Sequence, residues 1–212
     1  MTDAALTTPR WTAAIFDLDG TLVNTIELAV ATTPLLTAPY VGAAVAAGRS
    51  LVGDFGDDPN THRALAEHIS SSGDDVQTVQ RSYPGMAELL GDLLASGVKV
   101  AVATSKGREL AIRAVAAAGL SDLVELTTTA DETTLQKPHP EPILHARRHL
   151  NAEDEACVYI GDGTWDVRAG AAAGLDQIAV GWGACTPEDL ASQEPTAGVV
   201  TSVAELRTVL LG

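Results

Sequence analysis

Two aspartates close a short apolar run, in the order Ala13-Ala14-Ile15-Phe16-Asp17-Leu18-Asp19-Gly20-Thr21. In extended backbone, residues i and i+2 share a face, so Asp17 and Asp19 project together, Leu18 turns away, and Gly20 lets the chain bend sharply after them. Taken alone, such a pair also reads as two solvated acids at a strand end. The signal repeats after a second apolar run, Val158-Tyr159-Ile160, which leads into Gly161-Asp162-Gly163-Thr164-Trp165-Asp166. Asp166 follows Asp162 by about one helical turn, so both carboxylates can face the same crevice. Either could instead cap the N-terminus of the helix that follows. Four converging carboxylates would repel one another unless a cation sat between them, and hard oxygen ligands at an open site suit Mg²⁺.

Two further segments supply donors. Val102-Ala103-Thr104-Ser105-Lys106-Gly107 offers hydroxyls and unpaired backbone N–H groups at a helix start, a natural cradle for phosphate. Gln136-Lys137-Pro138-His139-Pro140-Glu141-Pro142 holds Lys137 in a loop stiffened by prolines. A lysine in such a loop is commonly just solvated, but this chain has only Lys99, Lys106 and Lys137, which favours a task for it. His145 and His149, four apart on a helical pattern, could ligate zinc from one face; with no third ligand at a suitable spacing they read as surface histidines. Trp165 is bulky for its place and is expected to pack rather than to act.

These residues must be held by strands and helices in alternation. Apolar runs at 13–17, 98–104, 124–128, 157–162 and 177–181, with a weaker one at 198–200, alternate with alanine-rich helical patterns near 85–96, 107–118, 140–150, 165–173 and 203–211. That alternation predicts an α/β fold, a parallel sheet with flanking crossover helices. Gly97, Gly119 and Gly174 stand where a left-handed residue closes a helix. From Asn24 to Ser82 the alternation fails, with no convincing strand and more chain than a crossover needs. The stretch is read as a small helical lobe, 24–82, inserted into a core formed by 1–23 and 83–212.

The chain has 212 residues, of which 46% are hydrophobic and only 4% aromatic, enough for one domain with an inserted lobe and with a core of close backbone packing. Its 28 acids against 13 bases, a formal net charge of -15, disfavour nucleic acid and anionic membrane surfaces and favour a cation. No apolar run approaches the ~18 residues of a membrane span, and the N-terminus lacks the basic and apolar segments of a secretion signal. Cys157 and Cys185 read as two reduced, buried thiols, and the expected compartment is the cytoplasm.

In order along the chain, Asp17-Leu18-Asp19-Gly20-Thr21, Thr104 after an apolar strand, Lys137 followed by Pro138 and Pro140, and Gly161-Asp162 with Asp166 resemble the four motifs of the haloacid dehalogenase superfamily. Any one of them alone is weak; together they are specific and cover the chain from about Trp11 to its end. Within that superfamily the run from Phe16 to Thr25, Tyr83-Pro84-Gly85 after the lobe, and Val180-Gly181-Trp182-Gly183 look most like phosphoglycolate-phosphatase-type enzymes. The resemblance implies a Rossmann-like core with an inserted α-helical cap, and a Mg²⁺-dependent phosphatase for a small phosphorylated metabolite, phosphoglycolate-like or a sugar phosphate, working as a monomer or homodimer. The presence of Asp19 points to phosphoryl transfer rather than carbon–halogen cleavage.

By the same resemblance, Asp17 is the nucleophile, Asp19 the acid and base, and Thr104 and Lys137 bind the phosphoryl group. Asp17, Asp19 through its backbone carbonyl, and Asp162 are the expected metal ligands; Asp166 acts through water or by holding Lys137. Gly20, Thr21, Thr104, Ser105 and Lys137 are the candidates for substrate contact, and Arg49, beside Gly48 in the lobe, for a distal anion. A phosphomutase of the β-phosphoglucomutase type and a non-catalytic phosphate-sensing module are the competing readings.

Overall fold

A computed structural model describes residues 9–25, 80–153 and 155–212, so Arg49 and nearly all of the lobe expected at 24–82 lie outside the described residues. Six strands run β1 Ala13–Phe16, β2 Lys99–Ala103, β3 Glu125–Thr128, β4 Cys157–Gly161, β5 Asp176–Val180 and β6 Val199–Val200. Every pairing is parallel and the order across the sheet is β3-β2-β1-β4-β5-β6. Between them lie α1 Met86–Ala95, α2 Arg108–Ala117, α3 Glu141–His149, α4 Thr164–Ala172 and α5 Pro187–Ala191, with α6 Val203–Leu211 last.

A central parallel strand covered on both faces is buried along its whole length, as β1 and β4 are, and β1 shows why alternation still matters. Ala14 and Phe16 pack with Met86, Leu89, Leu90 and Leu93 of α1, Ala111 and Val115 of α2, and Leu206 and Leu210 of α6. Ala13 and Ile15 face the other layer, with Ile143 and Ala146 of α3 and Ala169 of α4. The expected helix closers adopt left-handed backbone, Gly97 at φ 79°, Gly119 at 72° and Gly174 at 72°. Among the described residues α5 is the helix that the sequence pattern missed. Five residues are too few for an apolar period, but Thr186-Pro187-Glu188-Asp189 is a helix-start signature, and the Thr186 hydroxyl does accept from the Asp189 N–H at 3.2 Å.

The register sets the site. Phe16 is level with Val102 of β2 on one side and Ile160 of β4 on the other, so the carboxyl ends of the three central strands finish together. Strand order reverses between β1 and β4, and such a switch point is where open α/β sheets bind ligands. The chain on either side of 26–79 meets at the same edge: Val23 bridges Ser82 antiparallel, the Asn24 N–H donates to the Arg81 carbonyl at 2.8 Å, and the Tyr83 N–H to that of Leu22 at 3.1 Å.

Candidate active site

Asp17 follows β1, and its own N–H bonds the Ile160 carbonyl of β4 at 2.8 Å, continuing the sheet one residue past Phe16. This anchors a carboxylate that is only 9% exposed. Across the strand ends, Lys137 reaches in from the loop before α3 and sets its Nζ 2.9 Å from Asp17 Oδ1 and 2.8 Å from Asp166 Oδ1. The Lys137 Nζ also donates to the Tyr159 hydroxyl at 3.1 Å, and Tyr159, buried on β4, donates in turn to Asp166 Oδ1 at 3.1 Å. The second Asp166 oxygen accepts from the Gly163 N–H at 2.9 Å, which joins the capping and lysine-holding alternatives in one residue.

Asp162 is held from two sides. Thr21 Oγ1 donates to its Oδ1 at 3.0 Å, and the Ala184 N–H to its Oδ2 at 2.7 Å. Backbone presses close: a Cβ on Gly20 would lie 2.2 Å from Asp162 Oδ2, and one on Gly183 would lie 2.2 Å from that oxygen and 2.3 Å from Asp162 Cβ. Gly20 also turns through left-handed backbone at φ 75°. Both glycines are therefore spatial requirements of this carboxylate.

One ligand oxygen from each of Asp17, Asp162 and Asp166 lies within 4.8 Å of the others, and all three residues are buried. Burial first, then repulsion from Asp166, pushes Asp17 up to about 7 although Lys137 pulls the other way. Asp162 rises to about 8, again through burial and then Asp166 and Asp17, despite the bonds from Ala184 and Thr21. Burial alone would depress Lys137, but the carboxylates of Asp166 and Asp17 outweigh it and hold the ammonium well above its usual range. Asp17 Oδ1 meets Lys137 outside hydrogen-bond geometry and has no other partner among the described residues, so a buried oxygen keeps an unfilled lone pair. Three crowded carboxylates against one ammonium, two of them reluctant to ionise, and an unsatisfied acceptor fit a hard divalent cation.

The remaining expected residues sort as follows. Thr104, buried at the end of β2, accepts the Lys106 N–H at 3.1 Å on its hydroxyl, and Ser105 beside it is exposed. The first amide of α2, that of Arg108, is taken by the Asp131 carboxylate at 2.7 Å, which removes it from the phosphate cradle expected at this helix start. Thr21 is fully buried with its hydroxyl turned to Asp162, so it buttresses a carboxylate rather than facing the crevice. His149, exposed, bonds Glu125 Oε1 at 3.0 Å as a surface histidine would, whereas His145 is half-buried and bonds the buried Thr128 Oγ1 at 2.8 Å, so the surface reading holds for His149 and not for His145; the two have separate partners. Cys157 and Cys185 are both buried thiols outside any disulfide.

Three participants escaped the sequence reading. Tyr159 looked like one more apolar strand residue. Ala184 acts through its backbone, which sequence does not mark, although Gly183 beside it is a signal. Lys106 stands in the segment read for its hydroxyls and amides, yet its own ammonium lies 2.8 Å from Asp19 Oδ1.

Comparison with known proteins assigns the chain to a family and its fold to known structures. The haloacid dehalogenase-like hydrolase family matches residues 14–180. A phosphoglycolate phosphatase of Nitrosospira multiformis is 31% identical over 189 residues, 81% of this chain and 83% of that protein. The pyrophosphatase PpaX of Halalkalibacterium halodurans is 28% identical over 205 residues, covering 92% and 95%. Among solved structures, a HAD family hydrolase from Deinococcus radiodurans with bound phosphate and sodium superposes with a TM-score of 0.73 at 24% identity, over 96% of this chain and 99% of that one. At that identity the likeness is one of fold. No helix among the described residues is long and apolar enough to cross a membrane. With the family matched over most of its length and the parallel α/β core in place, the chain belongs to the haloacid dehalogenase-like hydrolases and is one of their phosphatases.

Proposed function

We propose that this protein is a Mg²⁺-dependent phosphatase that hydrolyses a small phosphorylated metabolite, phosphoglycolate-like or a sugar phosphate, through an aspartyl-phosphate on Asp17. The observation that carries the reading is the buried cluster of Asp17, Asp162 and Asp166 with Lys137 2.9 Å from Asp17. Asp17, the backbone carbonyl of Asp19 and Asp162 would hold the cation, while both Asp166 oxygens are engaged by Lys137, Tyr159 and Gly163. A cation held there would supply positive charge to offset the phosphoryl oxygens and to favour the ionised form of Asp17.

Asp17 then attacks phosphorus in line as the bond to the leaving oxygen breaks, and Asp19 gives that oxygen its proton. Water next attacks the acyl phosphate, Asp19 takes a proton from it, and free phosphate and the Asp17 carboxylate result. Lys137 and the Thr104 hydroxyl stabilise charge on the equatorial oxygens throughout. Residues 24–82 form the cap in this reading, supported by the chain leaving and returning at the Val23–Ser82 bridge beside β1. Two buried thiols outside any disulfide suit a reducing cytoplasm.

The test is incubation with Mg²⁺ and a panel of phosphate esters, following free phosphate and isomerised product. Phosphate release that is abolished in Asp17→Asn supports the proposal. Isomerisation of sugar phosphates without net release would instead mark a mutase, and ligand binding with no turnover on any ester a sensor.

A further inference from the structure

The chain has three lysines, and two of them converge on the paired aspartates, Lys137 on Asp17 and Lys106 on Asp19. Their situations differ. Lys137 is locked, with Asp17, Asp166 and Tyr159 all on its ammonium, and its side chain is 6% exposed. Lys106 is nearly as enclosed, at 12%, yet among the described residues the contact shown on its ammonium is Asp19, whose side chain is 32% exposed. That contact of 2.8 Å falls outside hydrogen-bond geometry, and the buried Asp19 Oδ1 has no hydrogen-bond partner among the described residues.

The Asp19 oxygen that faces Lys106 is itself buried and without a hydrogen bond, so the two are in contact but not locked together, and a largely desolvated ammonium needs an anion before it. Nor is Lys106 there by accident of a loose loop. Its N–H is fixed on Thr104 Oγ1 at 3.1 Å and its carbonyl accepts the Ala130 N–H at 3.0 Å, so the backbone is pinned while the side-chain tip retains spare donors.

We infer that Lys106 is a specificity-determining residue: it exchanges Asp19 for a second anionic group carried by the leaving portion of the substrate. This rests on the proposed reading in one respect, that Asp19 serves the leaving oxygen, for whatever lies beside Asp19 then lies beside the leaving group. The substrates selected are phosphoryl compounds whose leaving portion is itself charged, a phosphorylated hydroxy acid or a diphosphate, over esters of neutral alcohols and sugars. The anion replaces Asp19 on the ammonium, and the Asp19 carboxyl is released to the bridging oxygen.

The experiment compares 2-phosphoglycolate with hydroxyethyl phosphate, which differ in one carboxylate, in two measurements. The first is the ratio of kcat/KM for the two esters in wild type, Lys106→Met and Lys106→Arg. The second is calorimetric affinity for the same two esters in Asp17→Asn, with and without Lys106→Met, which needs no turnover. Expected is a wild-type preference for the charged ester of tenfold or more in both measurements, erased by Met at 106 and largely restored by Arg. A preference in binding that is the same with Lys or Met at 106, or no preference at all, overturns the inference. Failure of wild type to release phosphate from these two esters and from every ester of the panel would overturn the phosphatase reading instead, and binding that still discriminates through Lys106 would leave the specificity role standing.

Discussion

Removal of divalent cations is expected to make this protein less stable as the pH rises, and the site fixes the sign. Both Asp17 and Asp162 start from a carboxylate value of 3.8 and are pushed up, to about 7 and about 8. In the unfolded chain both ionise near their ordinary value, whereas in the fold they keep their protons to near neutrality. Between these limits the native state binds more protons than the unfolded state, so the stabilisation is complete below about pH 4 and is lost as pH rises through 7 to 8. Moving one carboxyl over such a span is worth on the order of 4 kcal/mol. The two acids share one mutual repulsion, so the pair is worth less than twice that, and about 4 kcal/mol is the working figure between about pH 5 and about pH 8.5. In a chain of this size 1 kcal/mol moves Tm by about 2–4 °C, which gives a fall of roughly 10 °C. The assay is thermal unfolding in EDTA across that range, repeated with millimolar Mg²⁺, which should remove most of the fall. Growing repulsion across an acidic surface would act in the same direction. Asp162→Asn separates the two causes: its amide oxygen can accept from the Ala184 N–H while its NH2 donates to the Thr21 hydroxyl, reversing that bond and removing the buried charge, and in EDTA near pH 8 it should melt above wild type. A Tm in EDTA that is level or rising with pH, with Asp162→Asn tracking wild type, would refute the electrostatic account.

Other outcomes follow from the same contacts. Gly183→Ala places a Cβ 2.2 Å from Asp162 Oδ2, so that carboxylate must leave its place; Mg²⁺-dependent turnover should fall at least about tenfold, equivalent to ~1.4 kcal/mol, with half-saturation at higher Mg²⁺, and unchanged titration would count against the packing argument. Lys137→Ala removes the ammonium between Asp17 and Asp166, so turnover should drop by about a hundredfold or more while far-UV circular dichroism stays native; wild-type rates would sink the role given to Lys137. Gly91→Ala lies inside α1 with open space at its Cβ and should raise stability by about 0.5–1 kcal/mol in denaturant unfolding, whereas a loss would mean that the helix is strained there.

What could be read from the sequence was whatever has a period or a fixed spacing. The six strands and their order of appearance follow from apolar runs alternating with helical patterns, and the left-handed backbone at Gly97, Gly119 and Gly174 follows from their places after helices. The spacing of Asp17, Asp162 and Asp166 after their strands made that cluster legible, whereas Asp19, past the end of β1, stands outside it and meets Lys106 instead of taking a fourth place among the carboxylates. The contacts between elements were not. Nothing local to Thr21 says that its hydroxyl is aimed at Asp162, because the two meet across 141 residues of chain. Tyr159 was hidden by its surroundings: in a strand buried on both faces, an aromatic residue carrying a polar tip looks like any other core residue. Lys106 was hidden by its neighbours, whose hydroxyls and amides suggested a cradle and drew the reading away from the ammonium.

The acidic balance of the chain acquires a different meaning once the site is in view. A net charge of -15 says that anions are repelled at long range, yet two of the three lysines sit within 3 Å of the paired aspartates. These placements are enforced by sterics as much as by charge. Asp162 cannot relax away from Asp17 and Asp166 by rotating, because the Gly20 and Gly183 backbones and the Ala184 and Thr21 donors occupy its surroundings. Asp166 cannot relax either, since Gly161 stands so close that a Cβ there would lie 2.4 Å from it. Repulsion among three carboxylates would ordinarily be relieved by small rotations into solvent, and packing removes that route. What is left is proton uptake or a cation, so the same close contacts that raise the titration of Asp17 and Asp162 give the fold its demand for a positive ion. That demand is local and short-ranged, and it coexists with a repulsive surface because the two act at distances on either side of the Debye length.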